Sequence, residues 1–344
     1  MNLPRSMNVV RADRVGTAAA LRLVDTPVPR PGPGQVLIRV ESASVNFADV
    51  KRRRGDDYPF PTAYPFVPGS EVAGTIAALG AGSDGFSVGQ SVFALVGGDG
   101  QGGYGQFALA YSPQVTALPP GMDFDTASGI VVAGATAMLL VRQAARLQAG
   151  ESVLVPAATG AVGSLLVQLA RHTGANCIIA AISPVQRKTE RAIQCGAHAT
   201  VDYTRADWAS KVTSLTGGRG VDVLFEASGG PVLEQGLRAL APFGRAVVYG
   251  AASGRPATLG ERSIVSLLYD PVPNQSLTGF NVGTWFMQRP DVAGSAIGEL
   301  MGLIAAGAIR MPEITTMPLR DAAKAHELLE ARQATGKLVL KPWN

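Results

Sequence analysis

The segment from Leu154 to Ala170, LVPAATGAVGSLLVQLA, constrains the fold of this 344-residue chain more than any other. It joins a short apolar run to a helix-like apolar segment through a cluster of small residues. Aligned to G-x-G-x-x-G, the turn has alanine at Ala158 and glycine at Gly160 and Gly163, the two positions that let the backbone approach a pyrophosphate and the helix pack on the strand. The segment therefore predicts a dinucleotide-binding unit, in which N–H groups at the helix N-terminus receive the diphosphate. The alternative is an ordinary strand-to-helix turn.

The next apolar run, CIIAAIS, indicates which dinucleotide the unit takes. An NAD site places an Asp or Glu about 20 residues after the glycines, at the end of the second strand. This run offers no acid and ends in Ser183, with Arg187 and Lys188 close behind. A positive pocket with a hydroxyl favours a 2′-phosphate, so we predict NADPH as the cofactor. The alternative is a helix that carries Arg and Lys for other reasons.

The residue composition and the pattern of apolar residues change near Pro119. Before it, glycine, proline and short alternating runs predict a twisted, largely antiparallel sheet or barrel. After it, helical segments alternate with apolar strands, as a doubly wound parallel sheet requires. The tail reads as a helix and a final strand that return to the first domain. The predicted strands of the parallel sheet are Ser152–Ala157, Asn176–Ile182, Ala199–Tyr203, Val221–Ala227, Arg245–Ala251 and Ser276–Phe280.

Composition limits the partners and the compartment. A net charge of +4, spread along the chain, predicts neither a nucleic-acid nor a membrane partner. Two cysteines cannot build a disulfide framework, and the N-terminus lacks the apolar core of a signal peptide, so we expect a cytoplasmic protein. The most apolar window, Ala127 to Val141, is too short for a bilayer span of about 20 residues and predicts a buried helix.

Several motifs, in order along nearly the whole chain, resemble those of the medium-chain dehydrogenase/reductase superfamily and, within it, the zinc-independent quinone oxidoreductases. The resemblance implies an α/β fold with a GroES-like, mostly-β catalytic domain at residues 1–124 and 286–344 and a Rossmann NADP-binding domain at 125–285. The motifs are SVNFADVKRRRG, PFVPGSEVAGTI, GGYGQFA, GATAMLLV, GRGVDVLFEASGG and TGKLVL.

The zinc ligands of related alcohol dehydrogenases are missing at the matching positions. Asn46 stands where their first Cys would be, and Ser70 replaces the His that precedes Glu71. Neither side chain serves a tetrahedral zinc site, so we predict no metal and no Lewis-acid alcohol oxidation. We expect structural or surface roles for the three histidines, His172, His198 and His326.

The resemblance also implies which residues form the site. Asn46, Thr136 and the backbone at Gly279 to Asn281 should line the nicotinamide end, and Lys337 matches a C-terminal GK that returns to the site. Asp49 and Arg53 fit a D-x-x-x-R-x-G element, where they either act directly or form a salt bridge that holds the loop. Tyr58 and Tyr64 are the candidate proton donors; otherwise Tyr58 is a wall of the site, and a quinone takes its proton from water. The residues predicted to bind the cofactor are Thr159, Gly160, Ala161, Val162, Gly163, Ser183, Arg187, Lys188, Tyr203, Gly250, Phe280, Asn281 and Lys337.

These expectations define one leading function. We expect NADPH-dependent hydride transfer to a small electrophilic substrate, a quinone or an α,β-unsaturated carbonyl compound. The alternatives are an enoyl-thioester reductase of fatty acid or polyketide assembly, since TGFNVGTW resembles a loop of those enzymes, and a non-catalytic NADPH-binding protein. The resemblance further implies a homodimer that pairs along the strand Ser276–Phe280.

Overall fold

The computed structural model describes residues 3–58, 61–183, 185–256, 258–270 and 274–344, and the chain divides into two compact units. The first unit comprises Met1–Val132 and Glu313–Asn344, and the second comprises Ala133–Pro312. The strands, in chain order, are β1 (Ser6–Ala12), β2 (Leu21–Pro27), β3 (Gln35–Val45), β4 (Glu71–Leu79), β5 (Ser91–Leu95), β6 (Phe107–Tyr111), β7 (Val115–Ala117), β8 (Ser152–Pro156), β9 (Cys177–Ile182), β10 (Ala199–Asp202), β11 (Val221–Glu226), β12 (Leu240–Val248), β13 (Ser276–Gly279), β14 (Ile314–Pro318) and β15 (Lys337–Lys341). The helices are α1 (Phe47–Arg54), α2 (Phe124–Ser128), α3 (Ala135–Leu139), α4 (Ala161–Thr173), α5 (Gln186–Gln194), α6 (Trp208–Leu215), α7 (Pro231–Leu237), α8 (Glu261–Tyr269), α9 (Val282–Gln288), α10 (Pro290–Ala305) and α11 (Ala322–Glu330).

The first unit is built on a mixed sheet with the order β14-β15-β3-β4-β5-β7, in which β6 also pairs with β3. Its longest strand, β3, pairs antiparallel with both β4 and β15. The chain terminus therefore returns to the first unit as a helix, α11, and a final strand, as the sequence predicted. The apolar sides of these strands form one buried cluster that includes Val40, Val72 and Leu340. The strands β1 and β2 form a separate antiparallel pair.

The second unit is a six-stranded parallel sheet with the order β10-β9-β8-β11-β12-β13. All six predicted strands are present, and the strand order is that of a doubly wound dinucleotide-binding sheet. The α/β fold class with a mostly-β domain and a Rossmann domain is thus confirmed. Strand β8 is completely buried, as expected for a central parallel strand between helical layers.

The two compact units divide the chain later than the sequence boundaries at 124/125 and 285/286. Helix α10, which the sequence analysis assigned to the catalytic domain, packs on α3 within the second unit. Its apolar residues Ala293, Ala296 and Leu300 are buried. The composition of residues 286–312 did not indicate this packing, because an apolar helix suits either domain.

The most apolar window of the sequence is helical and buried, as predicted. It runs through α2, α3 and two π-helical turns at Ile130–Gly134 and Leu140–Ala144. Such turns often lie at functional sites. In the described part of the chain, every helix is too short or too polar to cross a bilayer.

Candidate active site

The turn between β8 and α4 has the geometry of a diphosphate cradle. Gly160 is the N-cap of α4 with an extended backbone, and no side chain caps the helix. A Cβ at Gly163 would lie 2.4 Å from the Ala157 carbonyl oxygen and 2.8 Å from the Ala158 Cα, so only glycine lets α4 approach the strand so closely. The first turn, from Ala161 to Gly163, contains no acidic residue. The N–H groups of that turn have no partner within the helix and suit an anionic ligand.

Thr159 is buried in the same turn, directly before Gly160. Ala161 and Val162 are the first two residues of α4, so their contribution to the cradle is through the backbone. The residues present therefore fit the diphosphate of a dinucleotide.

The residues predicted to bind the 2′-phosphate lie past the ends of β9 and β10. The Lys188 Nζ donates a hydrogen bond to the Ser183 Oγ over 2.8 Å, and Arg187 is exposed beside it in the first turn of α5. Tyr203 follows β10 and donates from its backbone nitrogen to the Ile182 carbonyl, which places it next to Ser183. The Lys188–Ser183 pair thus lies where an NAD enzyme would have a carboxylate, and the roles of Arg187 and Tyr203 stay predictions.

The remaining predicted cofactor residues of the second unit lie at the same edge of the sheet. Gly250 follows β12, and Phe280 and Asn281 follow β13, which pairs with β12 through Val248 and Gly279. Because all six strands are parallel, their carboxyl ends share one edge, where ligands of doubly wound sheets bind. Thr136 is buried in α3, also in the second unit.

A buried polar cluster occupies the position of the missing zinc ligands in the first unit. The Lys337 Nζ donates to the Asn46 Oδ1 at 2.7 Å and to the Glu71 Oε1 at 2.9 Å. The Asn46 Nδ2 donates to the Glu71 Oε1 at 3.0 Å and to the Ser70 Oγ at 3.3 Å. The side chains of Lys337 and Glu71 are 3% and 0% exposed. We call Asn46, Ser70, Glu71 and Lys337 the Lys337 cluster.

The Lys337 cluster does not fit zinc. Zinc binds thiolate, imidazole or carboxylate ligands, and only Glu71 among the four cluster residues is one of these. A second cation here would also lie beside the Lys337 ammonium, which already neutralises Glu71. Among the described residues, no group of three or more His, Cys, Asp or Glu side chains is arranged to hold a metal ion.

The Lys337 ammonium makes contacts that the sequence analysis did not predict. The sequence analysis assigned it to the cofactor, but its ammonium is bound to Asn46 and Glu71 inside the first unit. Asn46 likewise uses both atoms of its side-chain amide within the Lys337 cluster. Both assignments, to the cofactor and to the nicotinamide end, stay predictions.

Asp49 connects the Lys337 cluster to a second buried network. Its carboxylate accepts from the backbone nitrogens of Asn46 at 2.8 Å and Gly69 at 2.9 Å, and from the Tyr104 hydroxyl at 3.3 Å. Burial raises the pKa of Asp49 to about 6, although the two backbone N–H groups oppose the shift. The Tyr104 Oη lies 3.1 Å from the His326 Nε2, and burial lowers the pKa of His326 to about 3, so this histidine is neutral. His326 thus has the structural surroundings expected for it.

Arg53 is completely buried and pairs with Glu330 of α11 rather than with Asp49. Its Nη2 lies 2.7 Å from the Glu330 Oε1, while Nε and Nη1 have no described hydrogen bond. The salt-bridge alternative therefore describes Arg53 better than direct catalysis does, with Glu330 as the partner. Because Glu330 is 277 positions beyond Arg53 in the chain, the sequence alone did not identify it.

The two candidate proton donors have different surroundings. The Tyr64 hydroxyl donates its proton to the Arg52 carbonyl at 2.7 Å. The Tyr58 ring lies 5.3 Å from the Arg52 guanidinium, and burial raises the pKa of its hydroxyl, which keeps it protonated at neutral pH. Burial also raises the pKa of the Tyr64 hydroxyl, so neither tyrosine is singled out, and the catalytic role of each stays a prediction.

Sequence reasoning missed three buried residues that organise polar networks, Glu71 and Tyr104 in the first unit and Glu226 in the second. Glu71 and Tyr104 lie inside motifs that were quoted but were not assigned a role. Glu226, at the end of β11, is fully buried and accepts from the Ser228 nitrogen at 2.6 Å and from the Gly229 nitrogen at 3.1 Å. The available signal was an acidic residue inside or beside a buried apolar run, since such a carboxylate needs a cation or N–H donors.

Comparison with known proteins follows the same division of the chain. Residues 32–120 match the model of the alcohol dehydrogenase GroES-like domain, and residues 161–300 match that of the zinc-binding dehydrogenases. A 2-haloacrylate reductase from a Burkholderia species is 33% identical over 330 residues, covering 92% of this chain and 94% of its own. A quinone oxidoreductase from Pseudomonas aeruginosa is 34% identical over 330 residues, covering 95% and 97%.

A solved structure is also similar to this chain over nearly its whole length. A mycobacterial protein complexed with NADPH superimposes with a TM-score of 0.88 and 31% identity, covering 98% of this chain and all of its own. The identity and coverage of these relatives, together with both matching domains, are sufficient to assign the family. The chain belongs to the medium-chain dehydrogenase/reductase superfamily, in its quinone oxidoreductase-like branch.

Proposed function

We propose that this protein is an NADPH-dependent, zinc-independent reductase of a quinone or an α,β-unsaturated carbonyl compound. The observation that carries the proposal is the glycine cradle before α4 together with the Lys188–Ser183 pair at the end of the neighbouring strand. Relatives named quinone oxidoreductase and 2-haloacrylate reductase, and a neighbour complexed with NADPH, support it. The test is NADPH oxidation by a matched set of acceptors.

In this reaction the cofactor supplies the electrons, and the protein has only a few steps to perform. Bound NADPH would supply a hydride, which carries two electrons. A quinone takes this hydride and one proton to become a hydroquinone, while an enone takes the hydride at its β-carbon and the proton at its α-carbon. The protein binds and orients the reactants and excludes water.

The side chains divide these tasks between the two units. In the second unit, the N-terminus of α4 would hold the diphosphate, and Ser183, Lys188 and Tyr203 would hold the 2′-phosphate. In the first unit, the Lys337 cluster fixes the Asn46 side chain in one orientation. Tyr58 would supply the proton for an acceptor carbon, and a quinone needs no such donor because water suffices.

Lys188→Ala is expected to weaken NADPH binding about 10- to 100-fold, since a hydrogen bond to a charged group is worth about 1.5–3 kcal/mol. NADH binding should change less than about twofold, because NADH lacks the 2′-phosphate that the ammonium would contact. The dissociation constants are measured by titration calorimetry.

A suitable control is Lys211→Ala, which removes a lysine that pairs with Asp207 on the surface of the same unit. It should leave both dissociation constants unchanged. Equal losses of NADPH and NADH in Lys188→Ala would show that Lys188 is structural and would remove the 2′-phosphate assignment.

We further propose a cytoplasmic homodimer in which β13 pairs with its counterpart across a two-fold axis. Among the residues that the structure describes, β13 is the last strand of the parallel sheet and pairs on one side only, with β12. An edge strand with unpaired backbone groups is a natural place for such pairing. Sedimentation equilibrium at micromolar concentration should give twice the chain mass of 35.6 kDa. A monomer at that concentration would refute the pairing.

A further inference from the structure

A groove of about 570 Å³ lies in the second unit beyond the carboxyl ends of β12 and β13. Its floor is formed by Val248 and Gly279, the last residues of these two strands, which are direct neighbours in the sheet. Phe280, Trp285 and Arg289 contribute to the walls. We call this feature the aromatic groove. It includes the Gly279 to Asn281 backbone assigned above to the nicotinamide end, and its volume is typical of small-molecule sites.

Two aromatic rings in contact form part of the walls of the aromatic groove. The rings of Phe280 and Trp285 stack with centroids 6.2 Å apart and an angle of 26° between their planes. The Phe280 nitrogen donates to the Val248 carbonyl at 2.8 Å, which holds this residue to the sheet. The Asn281 Oδ1 caps α9 by accepting from the Thr284 nitrogen at 3.2 Å. An aromatic wall suits a planar conjugated molecule, because aromatic rings stack favourably on flat partners.

A single cation lies among the described residues that line the aromatic groove. Arg289 directly follows α9, its side chain is exposed, and it has no described ion-pair partner. The described lining holds no carboxylate. A guanidinium both binds carboxylate or sulfonate groups through two N–H donors and stacks on aromatic rings. Apolar walls with one cation therefore complement a flat molecule with one negative charge.

We propose that the aromatic groove binds the electron acceptor and that Arg289 selects acceptors carrying an anionic group. The ligand class is a planar conjugated carbonyl compound with one carboxylate or sulfonate. This inference rests on the proposed function and adds to it the substrate class and a specificity-determining residue. Phe280 and Trp285 hold the flat part of the acceptor, and Arg289 fixes which end enters first.

The test compares acceptors that differ by one charge. NADPH-dependent reduction of 1,2-naphthoquinone-4-sulfonate is measured beside that of 1,2-naphthoquinone, and an unsaturated carboxylate beside its methyl ester. The two pairs separate a quinone from a carbon–carbon double bond. Arg289→Gln should raise the KM of the anionic member of each reducible pair about 10-fold or more, as expected for loss of a charge-assisted hydrogen bond. The kcat values and the KM of the neutral member should stay within about twofold.

Two further variants make the result specific. Arg262→Gln removes another exposed arginine of the same unit, on α8 and outside the groove, and should change neither KM. Trp285→Leu should raise the KM of both members, because it removes an aromatic contact with the flat part that both acceptors share. Equal effects of Arg289→Gln on both members, or no effect on either, would overturn the inference.

A binding measurement separates failure of the inference from failure of the proposed function. If the wild type reduces none of the acceptors, the proposed function fails. Titration of the NADPH-loaded protein with naphthalene-2-sulfonate, which cannot accept a hydride, then tests the groove. Binding that weakens in Arg289→Gln but not in Arg262→Gln supports the groove, and equal or absent binding in all three proteins refutes it.

Discussion

Lys337→Met is expected to lower the free energy of unfolding by about 3–5 kcal/mol, the cost of leaving one member of a buried ion pair without its partner. The pair with Glu71 is buried on both sides, and the ammonium is also the hydrogen-bond donor that fixes the Asn46 side chain. Methionine has a similar length but cannot donate or carry charge. Urea denaturation at neutral pH measures the change.

The double variant Glu71→Gln/Lys337→Met provides the control for this prediction. It removes both charges, so it should regain most of the stability that the single variant loses. The Val132 nitrogen, which donates to Glu71, can still donate to the glutamine carbonyl oxygen. A loss below about 1 kcal/mol in Lys337→Met, the range of an exposed pair, would contradict the buried ion pair.

Gly163→Val is expected to abolish measurable binding of both NADPH and NADH. A Cβ at this position would lie 2.4 Å from a backbone oxygen and 2.8 Å from a backbone Cα, so α4 would have to move away from β8. Overpacking of this kind costs about 1–3 kcal/mol, and the displaced helix would no longer direct its N–H groups at the diphosphate. Titration calorimetry with each cofactor measures the effect, and circular dichroism checks that the variant folds.

The matched control is Gly298→Val on α10. This glycine is also helical, but an added Cβ there would meet no atom within 4 Å. It makes the same Gly-to-Val change within a helix without the clash and should bind both cofactors normally. Unchanged cofactor affinity in Gly163→Val would mean that the turn before α4 is not the diphosphate site.

The fold was predictable because its signals are local and repeated. The Rossmann unit combines a glycine turn with six apolar strands at regular intervals, and each strand was found within a few residues of its predicted bounds. The return of the chain terminus to the first sheet followed from the motif TGKLVL, where β15 pairs with β3. The place of α10 was not predictable, since an apolar helix gives no sign of which domain it packs against.

The site was predictable only in part, for reasons that lie in the chemistry of buried charge. The cofactor turn and the Ser183–Lys188 corner follow from short motifs. The partners of Lys337 and Arg53 do not, because Glu71 and Glu330 are 266 and 277 positions away in the chain. Lys337 in a GK motif resembles a cofactor ligand, and its buried contact with the Glu71 carboxylate is visible only in the structure. Sequence spacing carries no information about such long-range pairs.

The most direct test of the account is anaerobic NADPH oxidation by the wild-type protein with a quinone, a simple enone and an enoyl thioester, with the reduced products identified. The account predicts one NADP⁺ formed for each acceptor reduced, with the quinone or the enone turned over faster than the thioester. Faster turnover of the thioester would favour the enoyl-thioester reductase. Tight NADPH binding without reduction of any acceptor would contradict the proposed function and indicate a non-catalytic nucleotide-binding protein.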